Sequence, residues 1–246
     1  MTNDTLRPHD LQFCLKRLHP SVRAMLQKYG AQVCVSGGFI RSCVANEDIN
    51  DIDLFGPTEE TVKAWAAELA LSDKGSHKIY ETANALSVKG FGSMVQFIHR
   101  WTFSHPTYVV PSFDFTIAQA ALWFEDGEWR SYLHPDFYAD LAAKRLVYTS
   151  PVRNEDAGGS MLRVLKFYQR GYRIPLESLA AVIARMSAAT GVDTTLDTLI
   201  YAEGKTVEEA YAKIYTAQLH EVDPQVDPTH EAHLPALTPP TPDLDF

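Results

Sequence analysis

The chain has 246 residues, 46% of them hydrophobic, and 22 Lys and Arg against 31 Asp and Glu give a formal charge of −9. That length can bury a full core, and the acidic balance excludes the strong basic excess of an extended nucleic-acid footprint. No apolar run approaches the roughly 20 residues of a membrane-spanning helix, and no basic-then-apolar leader opens the sequence, which predicts a cytoplasmic protein. Cys14, Cys34 and Cys43 lack C-x-x-C spacing and lie on apolar faces, so they are expected as reduced core thiols.

In chain order, Asp10 to Tyr29 carries Leu11, Leu15, Leu18, Val22 and Met25 on one side and predicts an amphipathic helix. Val33-Cys34-Val35 predicts a buried strand, Ser36-Gly37-Gly38 a tight turn, and Phe39 to Val44 the start of a helix. Backbone N–H groups at such a turn face an anion, so Ser36, Gly37 and Gly38 are expected to cradle phosphate, with Arg41 one turn later adding a charge. Asn50 to Phe55 alternates as a strand, which puts Asp51 and Asp53 on one face. Paired carboxylates beside a phosphate turn suit Mg²⁺, which takes oxygen ligands and shares them with substrate phosphates.

Thr58 predicts an N-cap, with Glu59 and Glu60 in the first turn of a helix to about Leu71. Strands are expected over His77 to Thr82, Ala85 to Phe91 and Met94 to Arg100, and Asp126-Gly127 marks a hairpin between Leu122 and Leu133. From Pro135 the periodicity turns helical: Pro135 to Leu146, with Lys144 and Arg145 read as a solvated or dipole-compensating basic end in preference to a nucleotide contact, then Gly159 to Tyr172, Leu176 to Ala189 and Thr206 to His220. Residues 221–246 hold six prolines, six acids and no Lys or Arg. They predict a disordered tail, and without it the charge of residues 1–220 is 22 minus 25, or −3.

Singly, a D-x-D usually marks a strand end and a Gly-Gly a turn. Together, Gly37-Gly38-Phe39-Ile40-Arg41 and Asp51-Ile52-Asp53-Leu54-Phe55 resemble the GG-x-[VI]-R…D-[IL]-D signature of the polymerase β nucleotidyltransferase superfamily, most of all its class II poly(A) polymerase and CCA-adding branch. Asp114-Phe115-Thr116, then Asp140-Leu141 to Lys144, then Met161-Leu162-Arg163 to Phe167 continue that likeness in order from Val33 to Ile174. The resemblance implies an α+β fold, with a mixed-sheet nucleotidyltransferase head over 1–134 and an all-helical neck over 135–220. It also implies departures. Ser112 and Phe113 stand where the family has arginines, Gln96 stands at its third metal-binding acid, and Ser160 breaks its base-reading E-D-x-x-R pattern.

Asp114 then has two readings, a replacement third metal acid or the acid of the family's D-F-T block. Arg163, on an otherwise apolar helical stripe, requires an acid or a phosphate partner. The implied function is a metal-dependent nucleotidyltransferase. Asp51, Asp53 and Asp114 would be catalytic, Asp51 and Asp53 would hold two Mg²⁺, and Ser36, Gly37, Gly38, Arg41 and Arg163 would bind a nucleoside triphosphate. The acceptor hydroxyl is left open among an RNA end, a small molecule and a protein. The alternative is a degenerate member that binds nucleotide or a partner without catalysis.

Overall fold

The computed structural model describes residues 4–72, 77–149 and 157–189. The helix expected over 206–220, the tail from 221 and Glu155-Asp156 lie outside the described residues. The single helix expected from Asp10 to Tyr29 is two, α1 (Pro8–Arg17) and α2 (Pro20–Tyr29). Pro20 has no N–H to continue the ladder and drives His19 into an extended conformation, φ −58° and ψ 144°. His19 then caps α2, its Nδ1 accepting the Ser21 N–H at 3.3 Å.

The strand β1 (Cys34–Ser36), α3 (Gly38–Ala45), β2 (Asp51–Phe55) and α4 (Glu59–Ala70) follow. Thr58 caps α4 as expected, its Oγ1 accepting the Thr61 N–H at 3.2 Å. Next come β3 (Ile79–Glu81), β4 (Ala85–Phe91), β5 (Ser93–Ile98), α5 (Pro106–Val109), β6 (Ala120–Glu125) and β7 (Glu128–Leu133). Asp126 and Gly127, at φ 52° and 80°, make the expected D-G turn between β6 and β7. All seven strands form one sheet in the order β3-β4-β5-β2-β1-β6-β7, with β2 and β5 parallel and the other neighbours antiparallel. The fold is α+β.

Strand alternation divides the sheet into two faces. Val35, Ile52, Leu54, Val95, Phe97 and Leu122 join the main core with α1 to α4, whereas Cys34, Phe55, Ile98, Ala121 and Trp123 form a smaller cluster on the other face. Asp51 and Asp53, in phase with Phe55, project from that second face. The three cysteines are free and buried, and burial pushes the Cys34 thiol up to about 12, which keeps it inert at neutral pH.

Helices α6 (Phe137–Ala142), α7 (Ala157–Gln169) and α8 (Leu176–Ala189) follow. The first is shorter than the helix expected to Leu146, because Lys144 takes a left-handed conformation, φ 50°, at a C-terminal position where glycine is the usual signal. The turn also makes Arg145 an ion-pair residue rather than a solvated helix end. Its Nε and Nη2 donate to Asp140 Oδ1 at 2.8 and 2.6 Å, and Thr116 Oγ1 donates to the other oxygen of this buried carboxylate at 2.6 Å. Half of the Arg145 side chain is exposed, which screens its share. The buried Thr116 hydroxyl has no such relief, so Asp140→Ala should cost about 2 kcal/mol, read as a lower urea midpoint at unchanged slope.

Candidate active site

The turn after β1 is built as a glycine turn, but only its last residue faces the cleft. Gly37 sits at φ 77° and ψ −130°, and a Cβ there would lie 2.9 Å from the Phe113 ring. Its N–H donates to the Ala120 carbonyl at 3.0 Å, and the buried Ser36 hydroxyl donates to the same oxygen at 2.5 Å. Ser36 and Gly37 therefore anchor the turn to β6 from beneath. Gly38 lines the cleft, and the N–H groups of Gly38, Phe39 and Ile40 precede the first intrahelical bond of α3, Arg41 N–H to the Gly37 carbonyl. A Cβ on Gly38 would meet the Arg41 guanidinium only at ordinary contact distance, 3.7 Å, so space in the cleft, not backbone strain, is what glycine supplies here.

Asp51 and Asp53 line the same cleft and are half-buried. In the sheet register Asp53 lies beside Ser36 on one side and Gln96 on the other. The amide at that place donates to Ser87 Oγ at 3.3 Å. Asp114 also lines the cleft but is only 2% exposed, and its Oδ2 accepts Ser160 Oγ–H at 2.9 Å and Arg163 Nη1–H at 2.5 Å. The arginine on the apolar stripe of α7 thus has an acid partner. Among the described residues, no three His, Cys, Asp or Glu side chains gather into a group that could hold a metal.

Cations face the acid pair. Arg41 has 9% of its side chain exposed, donates through Nη2 to Ser42 Oγ at 2.9 Å and lies over the Phe167 ring at 4.8 Å. Its Nε is 3.5 Å from Glu47 Oε2, and neither of those buried atoms completes a hydrogen bond. Burial, then Arg170, pull the Arg41 pKa down, against Glu47, Tyr172 and Asp51. Lys166 on α7 and Arg170 just past its end complete the group, and the cleft they share with the acids encloses about 190 Å³. Neither was singled out from sequence, although Arg163, Lys166 and Arg170 recur at i, i+3 and i+7, the spacing of one helical face.

Lys166 is exposed as a residue, yet desolvation against the cleft and then Arg170 hold its pKa below the ordinary 10.5, with Asp51 opposing. A bound polyanion favours the ammonium form, and in the empty cleft that form is lost at a lower pH than in a free lysine. Tripolyphosphate affinity should therefore fall on the alkaline side before pH 10.5, and Lys166→Met should flatten that limb in a titration series.

The fold is nucleotidyltransferase-like, similar to that of solved CCA-adding enzymes. The Thermotoga maritima CCA-adding enzyme complexed with tRNA superposes with a TM-score of 0.52 at 19% identity, over 87% of this chain and 50% of that one. A CCA-adding enzyme complexed with ATP gives 0.54 at 17% identity over 87% and 51%. A tRNA nucleotidyltransferase with a primer tRNA and an incoming ATP analogue gives 0.53 at 16% over 82% and 62%. In sequence, the Gabija anti-defense 2 protein of Bacillus phage SPbetaL7 is 25% identical over 170 residues, 68% of this chain and 39% of its relative. The chain thus spans about two fifths of that relative and about half of the first two solved enzymes. The family model described as Gabija anti-defense 2 family protein matches residues 9–144, more than half of the sequence, and the chain belongs to that family.

Proposed function

We propose that the cleft transfers a nucleoside monophosphate from a nucleoside triphosphate to an acceptor hydroxyl. The observation that carries this reading is the meeting of two carboxylates from one strand face with Arg41, Lys166, Arg170 and the start of α3 in a single cleft. Gly38 and the three cations would hold the triphosphate, and Asp51 and Asp53 would be the catalytic acids. The acceptor oxygen bonds to the α-phosphorus, the bond to the bridging oxygen breaks with its electron pair leaving on pyrophosphate, and the acceptor proton passes to water.

The residues fit Mg²⁺, since that ion is commonly held by one or two carboxylates together with substrate phosphates and waters. Asp51 and Asp53 would hold it, and when bound it would neutralise the leaving pyrophosphate and activate the hydroxyl. Asp114 is proposed as an orienting acid that fixes α7 through Arg163, which in turn sets Lys166 and Arg170 against the head. The head, 1–134, and the helical neck from 135 would form the two walls of the site. An ATP or CTP substrate accords with the nucleotides bound by the solved neighbours. The family's description, Gabija anti-defense 2, supports a role against the Gabija defence, and transfer onto a component of that encounter is the role we carry over.

A second reading is favoured by one specific feature, Gln96 beside Asp53 with Asp114 engaged elsewhere: a member that binds nucleotide without transferring it. Both readings require binding. Mg²⁺ with a nucleoside triphosphate at about 100 times its dissociation constant should add about 2.7 kcal/mol and raise the melting temperature. Arg41→Met should remove most of that shift. No shift in the wild type with any of the four triphosphates would end both readings.

A further inference from the structure

The odd residues of β2 lay out the cleft floor, Asp51, then Asp53, then Phe55, over about 13 Å at the rise of a strand. The two ends of that floor differ. The cationic end is the first: the antiparallel register that sets Ser36 opposite Asp53 carries Gly38 and the start of α3, with Arg41, toward Asp51, whose charge acts on both Arg41 and Lys166. The far end is apolar and aromatic. Phe55 meets Phe103 and Phe113 edge to face at 6.0 and 5.9 Å, Ile98 continues the floor on β5, and half-buried Trp101 walls it. The segment is fixed by the Phe103 N–H to the Gly56 carbonyl at 2.8 Å, and Arg100 lies over the Trp101 ring at 4.9 Å while donating to Asn84 Oδ1 at 2.9 Å. Trp101 and Phe113 still line the cleft.

In-line transfer puts the attacking and leaving oxygens on opposite sides of the α-phosphorus. With pyrophosphate drawn to the cationic end and the α-phosphate at the acid pair, the acceptor enters from the Phe55 and Trp101 end. We infer that the acceptor hydroxyl belongs to a molecule whose uncharged planar ring stacks against Trp101 and Phe113, and that the site does not take the end of a polyphosphodiester strand. An aromatic wall stabilises a ring by stacking, and because the Arg100 guanidinium beside it is engaged with Trp101 and Asn84, a strand's phosphates find little there to replace their hydration. The acidic balance of the chain points the same way, since a bound strand requires a cationic track. The inference rests on the proposed transfer and names its acceptor class.

The test uses the full chain with an α-labelled nucleoside triphosphate, Mg²⁺ and three acceptors in separate arms: N-acetyl-L-tyrosinamide, adenosine and a short oligoribonucleotide. Label is expected on the phenol or the nucleoside. Trp101→Leu should raise the KM for that acceptor about tenfold or more, with the KM for the triphosphate unchanged, and Trp101→Phe should recover most of the loss. Label only on the oligoribonucleotide overturns the inference while leaving the transferase standing. Label on nothing, or a Trp101→Leu variant with unchanged acceptor KM, also overturns it, and the melting shift with nucleotide then reports separately on whether the cleft binds triphosphate.

Discussion

Asp53→Asn and Asp51→Asn are each expected to lower nucleotidyl transfer by about a thousandfold or more while leaving the protein folded. The two carboxylates share a strand face and are half-buried in the cleft, so loss of either removes an anionic oxygen from the strand-borne acid pair lining it. Metal-assisted charge stabilisation is worth several kcal/mol, and about 4 kcal/mol corresponds to that factor in rate. Asparagine is nearly isosteric and relieves repulsion between close carboxylates, so apo stability should hold or rise slightly. Label transfer and a urea melt on the same preparations check both halves. A variant that retains more than a tenth of wild-type transfer would remove its acid from the catalytic pair.

The largest effect on stability is expected at Arg163. Asp114 is 2% exposed, and among the described residues its Oδ2 takes hydrogen bonds from Arg163 and Ser160, so Arg163→Met leaves that buried carboxylate with the neutral Ser160 donor. Breaking a buried pair from one side costs about 3–5 kcal/mol, and because a quarter of the Arg163 side chain is exposed the low end applies. Asp114→Asn keeps an acceptor for both donors and should cost less. The double variant Asp114→Leu with Arg163→Met should be more stable than Arg163→Met alone, since the Asp114 carboxylate is then no longer stranded. Urea midpoints across this cycle give the answer, and additive single effects would mean that the pair does not act as one unit.

Much of this architecture was legible because local rules agreed with the global fold. Alternation along β2 announced both the strand and the shared face of Asp51 and Asp53, Thr58 announced the start of α4, and Asp126-Gly127 announced the β6–β7 hairpin. Leu176–Ala189 matched its helix end to end. The failures have equally local causes. Pro20 divides a continuous amphipathic pattern into α1 and α2, because apolar spacing continues across a break that only the missing N–H enforces. Lys144 ends α6 in a left-handed turn without glycine, held by contacts from Arg145 to a buried acid that sequence spacing does not reveal.

At the site, the motif located the cleft but overstated its turn. Ser36 and Gly37 spend their donors on Ala120 of β6, a partner 84 residues away in sequence. Lys166 and Arg170 were hidden in plain periodicity, and their place in the cleft emerges only once α7 and the turn after it line the same cleft as β2. Gln96, read from sequence only as the residue at the family's third acid, lies beside Asp53 in the parallel register, a pairing that the strand pattern alone does not specify.

The most direct measurement of the central claim is the ratio of pyrophosphate released to label fixed in acid-stable product, using wild-type protein, Mg²⁺ and each α-labelled triphosphate in the presence of host extract. Transfer predicts one pyrophosphate per label fixed, with both signals lost together in Asp53→Asn. Wild-type protein whose melting temperature rises with nucleotide, yet which releases no pyrophosphate and fixes no label beyond Asp53→Asn, would contradict transfer and leave a nucleotide-binding protein.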